Sequence, residues 1–340
     1  MKRIFEPWMI VERGGFPESR HRGILAVIDD SGRVLASLGD PSWVSFLRSS
    51  AKMFQALPLV ESGTADALGL DDRQLAVCCA SHSSEPFHLR AVEEILSRAG
   101  LLEADLQCGP HEPVHEPTWY RMIRAGETPG ALHNNCSGKH AGMLAVCRHR
   151  GWETEGYLSP DHPLQREIRT LLAEYAGVDP DSVTHATDGC GLPTFRLPVE
   201  SFARALAKFA AGKGPDRWRG ASARIFRAMT SHPEMVGGTG RFCTEVVRVA
   251  NRPLLAKTGA EGFYAAAWTD DDGRGRGLVA KAEAGDDRSR YFAVAGALRS
   301  LGVLDDAGLA ALAPFHSAPL VNRAGTEVGR FIRAEGGEAP

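Results

Sequence analysis

Residues 22–38 read Arg-Gly-Ile-Leu-Ala-Val-Ile-Asp-Asp-Ser-Gly-Arg-Val-Leu-Ala-Ser-Leu, in which two apolar runs flank the turn sequence Asp29-Asp30-Ser31-Gly32. Apolar runs of strand length that are separated by a short polar segment with glycine are typical of a β-hairpin. Further apolar runs of this kind lie at residues 253–257, 263–268, 278–280 and 318–331. The sequence therefore predicts strands near both ends of the chain.

Other segments carry the spacing of amphipathic helices, with apolar residues three and four positions apart. These segments lie at residues 87–98, 163–176, 200–211, 219–230 and 288–301. The apolar run at residues 75–80 predicts, in contrast, a short buried strand. Strands at both ends with helices between them predict an α+β fold, in which an antiparallel sheet joins both termini, helices pack on it and the middle region is mainly helical.

The chain has 340 residues, enough for one large unit or two smaller ones. Because no repeat, low-complexity segment or linker divides it, we expect a single globular unit over residues 1–340. A discontinuous division would place an α/β part at residues 1–60 plus 235–340 and a mainly helical part at residues 61–234.

Charge and composition exclude several classes of protein. The 39 Lys and Arg residues nearly balance the 42 Asp and Glu residues, so nothing favours nucleic acid or an acidic membrane as a partner. No stretch has the apolar length of a membrane span, and Glu6 and Pro7 interrupt the apolar residues that a signal peptide would need. The seven cysteines have no regular spacing, which argues against a disulfide framework. We therefore expect a cytoplasmic protein.

Ser49-Ser50-Ala51-Lys52 places a serine and a lysine three residues apart at the start of an apolar helical segment. This spacing puts both side chains on one face of a helix. A lysine that loses its charge through burial or beside another cation can take the proton of a serine hydroxyl, which gives a serine catalyst without a histidine. A serine N-cap followed by an exposed lysine has the same pattern, so the motif alone leaves both interpretations open.

Two further segments are candidates for the same site. Lys257-Thr258-Gly259 follows an apolar run, so we expect it on a strand or just past one. The order of an early Ser-x-x-Lys and a late Lys-Thr-Gly is similar to that of serine β-lactamases and penicillin-binding proteins. Ser81-His82-Ser83-Ser84-Glu85 follows another apolar run, where a loop can present hydroxyl groups to a cleft. Ser81 is the better candidate, because Ser83 and Ser84 also fit a helix cap.

Two polar segments with glycine each carry one cysteine. They are Asn134-Asn135-Cys136-Ser137-Gly138-Lys139-His140 and Asp188-Gly189-Cys190-Gly191. Thiolates are ligands that favour zinc. Because the two cysteines are far apart and neither belongs to a Cys-x-x-Cys pair, the spacing fits a metal site and also two partly buried thiols in turns.

Together, these segments resemble the Rhizobium etli-type L-asparaginases, also called the asparaginase II or class 3 family, from about residue 10 to about residue 330. The matching segments are Ser49-x-x-Lys52, Cys78-Cys79-Ala80-Ser81-His82-Ser83, His133-Asn134-Asn135-Cys136-Ser137-Gly138-Lys139-His140, Asp188-Gly189-Cys190-Gly191-Leu192-Pro193 and Lys257-Thr258-Gly259-Ala260-Glu261-Gly262. The resemblance implies a fold akin to serine β-lactamases and glutaminases, a homodimer, and hydrolysis of L-asparagine to L-aspartate and ammonia.

The resemblance also implies the residues of the site. It pairs Ser49 with Lys52 and Ser81 with Lys257. It places a zinc-type site on Cys136, Lys139 and Cys190, with water completing the coordination. Because a lysine ligand must be neutral, that site predicts a strongly lowered pKa for Lys139. Zn²⁺ is therefore the expected cofactor, and whether catalysis needs it stays open.

In the expected mechanism, Lys52 is kept neutral by burial and by Lys257, and takes the proton of Ser49. Ser49 attacks the side-chain amide, ammonia leaves, and water hydrolyses the acyl-enzyme. Ser81 and Lys257 relay protons or orient the amide, and backbone N–H groups near Ser49 supply an oxyanion hole. The residues expected to contact the substrate are Arg48, His82, Asn134, Asp188 and Thr258, with Arg48 as the candidate partner of the α-carboxylate.

Other functions remain open at this point. One is a different serine acylase or amidohydrolase of β-lactamase-like fold, such as a glutaminase or a β-lactam hydrolase. Another is a zinc-dependent amino-acid-binding protein, which would bind asparagine without turnover. A third is a metallohydrolase that uses zinc-bound water, which would keep its activity without Ser49 and lose it without Cys190.

Overall fold

The hairpin predicted over residues 22–38 forms in the computed structural model, which describes residues 3–334. The strands are, in chain order, β1 (Glu6–Arg13), β2 (Phe16–Asp29), β3 (Val34–Leu38), β4 (Val44–Phe46), β5 (His185–Thr187), β6 (Pro193–Pro198), β7 (Leu254–Thr258), β8 (Phe263–Thr269), β9 (Gly275–Ala282), β10 (Leu320–Val321) and β11 (Glu327–Arg333). β2 and β3 pair antiparallel, with Leu25 opposite Leu38. The buried carboxylate of Asp29 closes the turn by accepting hydrogen bonds from the N–H groups of Ser31 and Arg33, at 3.0 and 2.9 Å.

One large antiparallel sheet contains most of these strands. Its order is β10-β11-β1-β2-β9-β8-β7, and β3 pairs with β2 beside this path. β1, from the start of the chain, pairs with β11, from its end, with Met9 opposite Arg333. The prediction of an α+β fold with an antiparallel sheet that joins both ends of the chain is therefore confirmed.

The helices include all five of the predicted segments. In chain order they are α1 (Lys52–Gln55), α2 (Leu57–Glu61), α3 (Thr64–Ala67), α4 (Asp72–Cys78), α5 (Pro86–Arg98), α6 (Glu116–Ala125), α7 (Ser137–Arg150), α8 (Pro163–Ala176), α9 (Val199–Ala210), α10 (Arg219–Ser231), α11 (Pro233–Val236), α12 (Phe242–Val249), α13 (Asp287–Ser300), α14 (Asp306–Ala311) and α15 (Ala313–His316). α5, α8, α9, α10 and α13 are the five predicted helices. No helix within residues 3–334 combines the length and the apolar composition that crossing a membrane requires.

The predicted strand at residues 75–80 is wrong, because most of that run belongs to α4. A capping box begins this helix: the Asp71 carboxylate accepts from the N–H of Gln74 at 2.9 Å, and the Gln74 side chain accepts from the N–H of Asp71 at 3.0 Å. Such a box satisfies two N–H groups that a helix start leaves without partners. A short apolar run does not by itself distinguish strand from helix, and here the cap decides.

The described chain forms two units. The first, called the sheet unit here, contains the described residues up to Ser45, Pro198–Ala211 and the described residues from Glu245 onward. The second, called the helical unit, contains Phe46–Leu197 and Gly212–Thr244. The discontinuous division considered from the sequence placed these boundaries at residues 60 and 235, whereas the structure places them after Ser45 and before Glu245. It also assigned residues 198–211 to the helical part, whereas they belong to the sheet unit.

Within the sheet unit, α9 packs directly on β9 and its neighbours. Gly275 and Gly277 of β9 allow this approach, because a Cβ atom at either position would lie 1.9 Å from a carbonyl oxygen of α9. The helical unit uses the same device. A Cβ atom on Gly138 of α7 would lie 2.2 Å from the carbonyl oxygen of Val77 in α4. The contact fixes the start of α7, which carries Lys139, against the end of α4, after which the chain reaches Ser81.

Candidate active site

The turn that carries Ser49 is tightly held in the helical unit. Arg48–Ala51 forms a 3₁₀ turn that leads into α1, and Arg48 adopts the left-handed conformation, with φ of 51°. The N–H of Leu47 donates to the carbonyl of Phe195 in β6 at 2.9 Å. Ser50 is fully buried and donates its hydroxyl to the carbonyl of Leu47 at 2.5 Å, so it is committed to the turn.

Lys52 is the buried centre of the site, with no exposed surface. Its Nζ lies 3.1 Å from the Oγ of Ser81, 2.5 Å from the carbonyl oxygen of Ala80 and 3.2 Å from the Sγ of Cys136. The lysine therefore joins the serine segment that follows α4 to the cysteine at the start of α7. Sequence reasoning paired Ser81 with Lys257 alone and did not find these contacts, because the partners lie far apart in the chain.

Ser49 differs from Ser81 in its surroundings. Its side chain is half-buried, and within residues 3–334 its hydroxyl makes no hydrogen bond, including none with Lys52. Ser81 is buried, and its N–H donates to the carbonyl of Val236 at 3.0 Å. One serine is thus open to solvent beside the lysine, and the other is fixed against the lysine amine.

The segment of residues 80–85 is irregular, yet every residue in it is buried. Hydrogen bonds fix it: the N–H of His82 donates to the carbonyl of Asn135 at 3.2 Å, and Ser83 Oγ donates to the carbonyl of Gly237 at 2.8 Å. Ser84 adopts a left-handed conformation, with φ of 62°, and donates to the carbonyl of His133 at 2.6 Å. Glu85, rather than either serine, is the N-cap residue of α5.

Both ring nitrogens of His82 are engaged. Nε2 lies 2.9 Å from the Oγ of Ser137, and Nδ1 accepts from the N–H of Ser84 at 3.2 Å. Burial lowers the pKa of His82 well below its ordinary value, so the ring is neutral near pH 7. Asn134 is similarly occupied: its Nδ2 donates to the carbonyls of Cys108 and Gly109 at 2.9 and 3.0 Å. These contacts brace the loops, and a direct role of either residue in substrate binding stays a prediction.

Arg48 and Asp188 form an ion pair. The Nη2 and Nε atoms of Arg48 lie 2.8 and 2.9 Å from one carboxylate oxygen of Asp188. Burial opposes the charge of this carboxylate, but Lys139, the N–H of Gly189 and Arg48 outweigh it and keep the pKa of Asp188 below its ordinary value. The structure thus brings two predicted substrate-binding residues into contact, and each compensates the charge of the other.

The three residues of the expected zinc-type site also meet. Lys139 Nζ lies 3.1 Å from the Sγ of Cys190, which forms a hydrogen bond with Cys136. That hydrogen bond, together with Lys52 and Lys139, lowers the pKa of Cys136 well below its ordinary value, while the same bond and burial raise that of Cys190. Sulfur and nitrogen donors that converge in this way fit Zn²⁺.

The lowered pKa expected for Lys139 as a zinc ligand stays a prediction, and in the absence of a metal ion the pKa shifts in the other direction. Burial opposes the charge of Lys139, but the sulfur atoms of Cys190 and Cys136 outweigh it and raise the pKa of the amine above its ordinary value. Metal binding would therefore have to displace a proton from this lysine. Within the described part of the chain, no three His, Cys, Asp or Glu side chains are placed to hold a metal ion together.

β7 ends with Lys257 and Thr258, which agrees with the prediction that this segment lies on a strand or just past one. Lys257 is fully buried, and its Nζ donates to the carbonyl of Thr258 at 2.7 Å. Both residues belong to the sheet unit, whereas Ser49, Lys52 and Ser81 belong to the helical unit. The pairing of Ser81 with Lys257 and a substrate contact from Thr258 therefore stay predictions.

A loop that the sequence reasoning missed packs against the serine segment. Residues 237–241 read Gly-Gly-Thr-Gly-Arg, and Gly238 has φ of 116°. A Cβ atom on Gly238 would lie 2.6 Å from the Oγ of Ser83. The N–H and hydroxyl of Thr239 donate to the buried Glu85 carboxylate at 2.7 and 2.8 Å. Three glycines in four positions before a helix are the signal that could have found this loop.

Comparison with known proteins gives a family match over nearly the whole chain. Residues 9–332 match the family described as L-asparaginase II. No curated protein matches the chain. The crystal structure of Mglu in its native form is 18% identical with a TM-score of 0.42, over 78% of this chain and 60% of that one. A crystal structure of Bacillus glutaminase is 14% identical with a TM-score of 0.35, over 78% of this chain and 85% of that one.

Proposed function

Because the chain belongs to the L-asparaginase II family, we propose that it is an amidohydrolase that converts L-asparagine to L-aspartate and ammonia. The contact of 3.1 Å between Lys52 Nζ and Ser81 Oγ is the observation that carries the mechanism. It places an amine with no exposure to solvent in contact with one hydroxyl and on the same turn as another, that of Ser49.

In the proposed reaction, neutral Lys52 takes the proton of Ser49 as the Ser49 oxygen attacks the amide carbon. The amine of Lys52 contacts the carbonyl of Ala80, the hydroxyl of Ser81 and the sulfur of Cys136, which hold it beside the turn that carries Ser49. The half-buried Ser49 hydroxyl is the one that a substrate can reach.

Ser81 then serves as the relay. As the tetrahedral intermediate collapses, Ser81 gives its proton to the leaving nitrogen and recovers one from the Lys52 ammonium, so ammonia leaves and Ser49 carries the acyl group. A water molecule attacks the acyl carbon, Lys52 takes a proton from that water, and the Ser49 oxygen leaves with a proton. The buried and fixed position of Ser81 suits a group that transfers protons without forming a bond to carbon.

A zinc site beside this centre is part of the proposal. Cys136, Lys139 and Cys190 would hold Zn²⁺, which when bound supplies a Lewis-acidic positive charge. Through the contact of Cys136 with Lys52, the residues of this site also brace the lysine. Arg48, Asp188, His82, Asn134 and Thr258 remain the proposed surroundings of the substrate, and a homodimer is the proposed assembly.

The direct test measures ammonia release from L-asparagine, with L-glutamine as the competing substrate and ring-opening of a β-lactam as a separate assay. The proposal predicts release from L-asparagine, and a loss of at least about 10³-fold in Ser49→Ala, as expected for removal of a nucleophile. Activity on L-glutamine or a β-lactam alone would contradict the asparaginase assignment. Near-normal turnover by Ser49→Ala would contradict the nucleophile. Light scattering on the purified chain tests the dimer.

A further inference from the structure

An amino-acid amide carries an α-carboxylate close to the amide that reacts. In L-asparagine the two carbon atoms are separated by three carbon–carbon bonds, or about 4 Å. A guanidinium is well suited to bind this carboxylate, because its planar set of N–H donors matches the two oxygens. The sequence suggested Arg48 for this task, but the charge of Arg48 is already compensated by Asp188, at 2.8 Å.

A second guanidinium lies against the serine segment. Arg241 ends the glycine-rich loop of residues 237–241, and its Nη1 donates to the Oγ of Ser83 at 3.3 Å. Ser83 is two positions after Ser81, so their Cα atoms are at most about 7 Å apart. The side chain of Arg241 is half-buried, which leaves part of it accessible to a ligand.

Within residues 3–334, no carboxylate oxygen lies within 4.0 Å of a guanidinium nitrogen of Arg241. The nearest acidic group on the segment, Glu85, already accepts hydrogen bonds from the N–H and the hydroxyl of Thr239, and lies 3.9 Å from Nε2 of His115. Arg48 is therefore paired with a carboxylate, whereas Arg241 has no carboxylate at ion-pair distance and can offer its charge to an anion.

The loop holds this arginine in a defined place. The hydroxyl of Thr244 donates to the carbonyl of Gly238 at 2.6 Å, and Gly238 packs against Ser83 so closely that no larger residue fits. A cation that is fixed before the ligand arrives loses less conformational entropy on binding than a mobile one. The guanidinium of Arg241 thus contacts the serine segment at Ser83, whereas Lys52 contacts it at Ala80 and Ser81.

We propose that Arg241 binds the α-carboxylate of the substrate and thereby selects amides that carry this carboxylate. This role rests on the proposed amide hydrolysis, and it adds a specificity residue that the sequence motifs did not include. It leaves the Arg48–Asp188 pair to hold the turn beside Ser49.

Three substrates separate this role from a structural one. L-Asparagine carries both the amine and the carboxylate, succinamic acid lacks the amine, and 3-aminopropanamide lacks the carboxylate. We expect Arg241→Ala to lower kcat/KM for the first two by roughly 10- to 100-fold, the loss typical of a hydrogen bond to a charged group, mainly through KM. The value for 3-aminopropanamide should change by no more than about twofold, because that substrate offers Arg241 no partner.

Control variants exclude other causes. Arg248→Ala removes an arginine of α12 that pairs with Glu245 at 3.1 Å and should leave all three rates unchanged. Arg241→Lys keeps the charge without the planar donor set and should recover part of the loss, which also covers the case that Arg241→Ala does not fold. Equal losses on all three substrates, or a selective loss in Arg48→Ala with none in Arg241→Ala, would overturn the proposal.

The binding of L-aspartate, measured by calorimetry, separates this proposal from the proposed function. A wild-type chain that hydrolyses none of the three amides would contradict the hydrolysis alone. Binding of L-aspartate that weakens at least about tenfold in Arg241→Ala would still support the carboxylate site. Unchanged affinity in that variant would contradict the site whatever the activity.

Discussion

Lys52 Nζ lies 3.1 Å from Ser81 Oγ, although the two residues are 29 positions apart in the chain. The contact depends on α4, which ends shortly before Ser81, and on α1, which begins at Lys52. Through it, the lysine contacts a hydroxyl that follows another helix, while the hydroxyl of Ser49 lies on the turn that leads into the lysine. The proposed chemistry depends on this amine.

Replacement of Lys52 should remove most of the activity. Lys52→Met keeps the volume of the side chain and removes the amine, so we expect kcat to fall by roughly 10²- to 10⁴-fold, the range typical of a general base. Lys52→Arg should not restore it, because a guanidinium does not lose its proton near neutral pH. Steady-state ammonia release measures both variants, and near-wild-type rates in Lys52→Arg would contradict a neutral lysine.

Removal of Ser81 should slow the reaction without preventing attack. Ser81→Ala takes away the proposed relay and leaves Ser49 and Lys52 in place. We expect kcat to fall by roughly 10²-fold or more, with an altered dependence on pH. Ser84→Ala is the control, since Ser84 lies on the same segment and donates to the carbonyl of His133 at 2.6 Å. A larger loss in the control than in Ser81→Ala would contradict the relay.

The zinc-type site predicts a metal content that depends on Cys190. The wild-type chain, loaded with Zn²⁺ and desalted, should retain about one ion per chain, and Cys190→Ser should retain much less. Cys147→Ser is the matched control, because Cys147 is a buried thiol on α7 outside the trio. Elemental analysis gives the answer independently of activity. Equal metal content in all three proteins would contradict the zinc-type site and leave the three residues a structural role only.

The contact between α9 and β9 predicts a steep loss of stability on adding one methyl group. Gly277→Ala would place a Cβ atom 1.9 Å from the carbonyl oxygen of Ala203, so we expect a loss of about 3 kcal/mol or more. Gly296→Ala, inside α13, meets no atom within 4 Å and should stabilise the chain by about 0.5–1 kcal/mol. Urea unfolding of the two variants measures this contrast. A Gly277→Ala variant as stable as wild type would contradict the packing.

A carboxylate network in the helical unit predicts a loss of stability in acid. Arg217 and Arg150 lie 2.7 Å from the carboxylate of Glu61, and with Arg217 as the main cause its pKa is lowered. The pKa is lower in the folded than in the unfolded chain, so this stabilisation is present above the unfolded value of about 4.3 and is lost as the pH falls through and below it. Glu61→Gln should therefore cost about 1 kcal/mol at pH 7 and almost nothing near pH 3. A cost that is independent of pH would contradict it.

Local patterns predicted much of the fold. The hairpin around Asp29 and the helix Pro163–Ala176 follow from apolar spacing and turn residues, which act within a few positions of the chain. The run at residues 75–80 failed because its helix depends on a cap at Asp71 rather than on periodicity. Motifs pointed to the serine segment and the cysteine trio, and the structure places Lys52 against Ser81 and Lys139 against Cys190.

The partners of those groups could not be predicted in the same way. The contact of Lys52 with Cys136 and the contact of Arg241 with Ser83 join residues that only the packing of helices brings together. The raised pKa of Lys139 depends on two sulfur atoms whose positions the sequence does not give. The residue type of Arg48 alone favoured binding of a substrate carboxylate. The ion pair with Asp188, which the sequence does not show, changed that interpretation.

Identification of the acylated residue tests the central claim most directly. Ser81→Ala, mixed with L-asparagine and quenched in acid before the acyl-enzyme is hydrolysed, would be digested and its peptides mapped by mass spectrometry. The account predicts one aspartyl group on the peptide that carries Ser49, and no such group when Ser49→Ala is treated alike. An aspartyl group on Ser81 of the Ser49→Ala variant, formed at the rate of wild-type turnover, would contradict it.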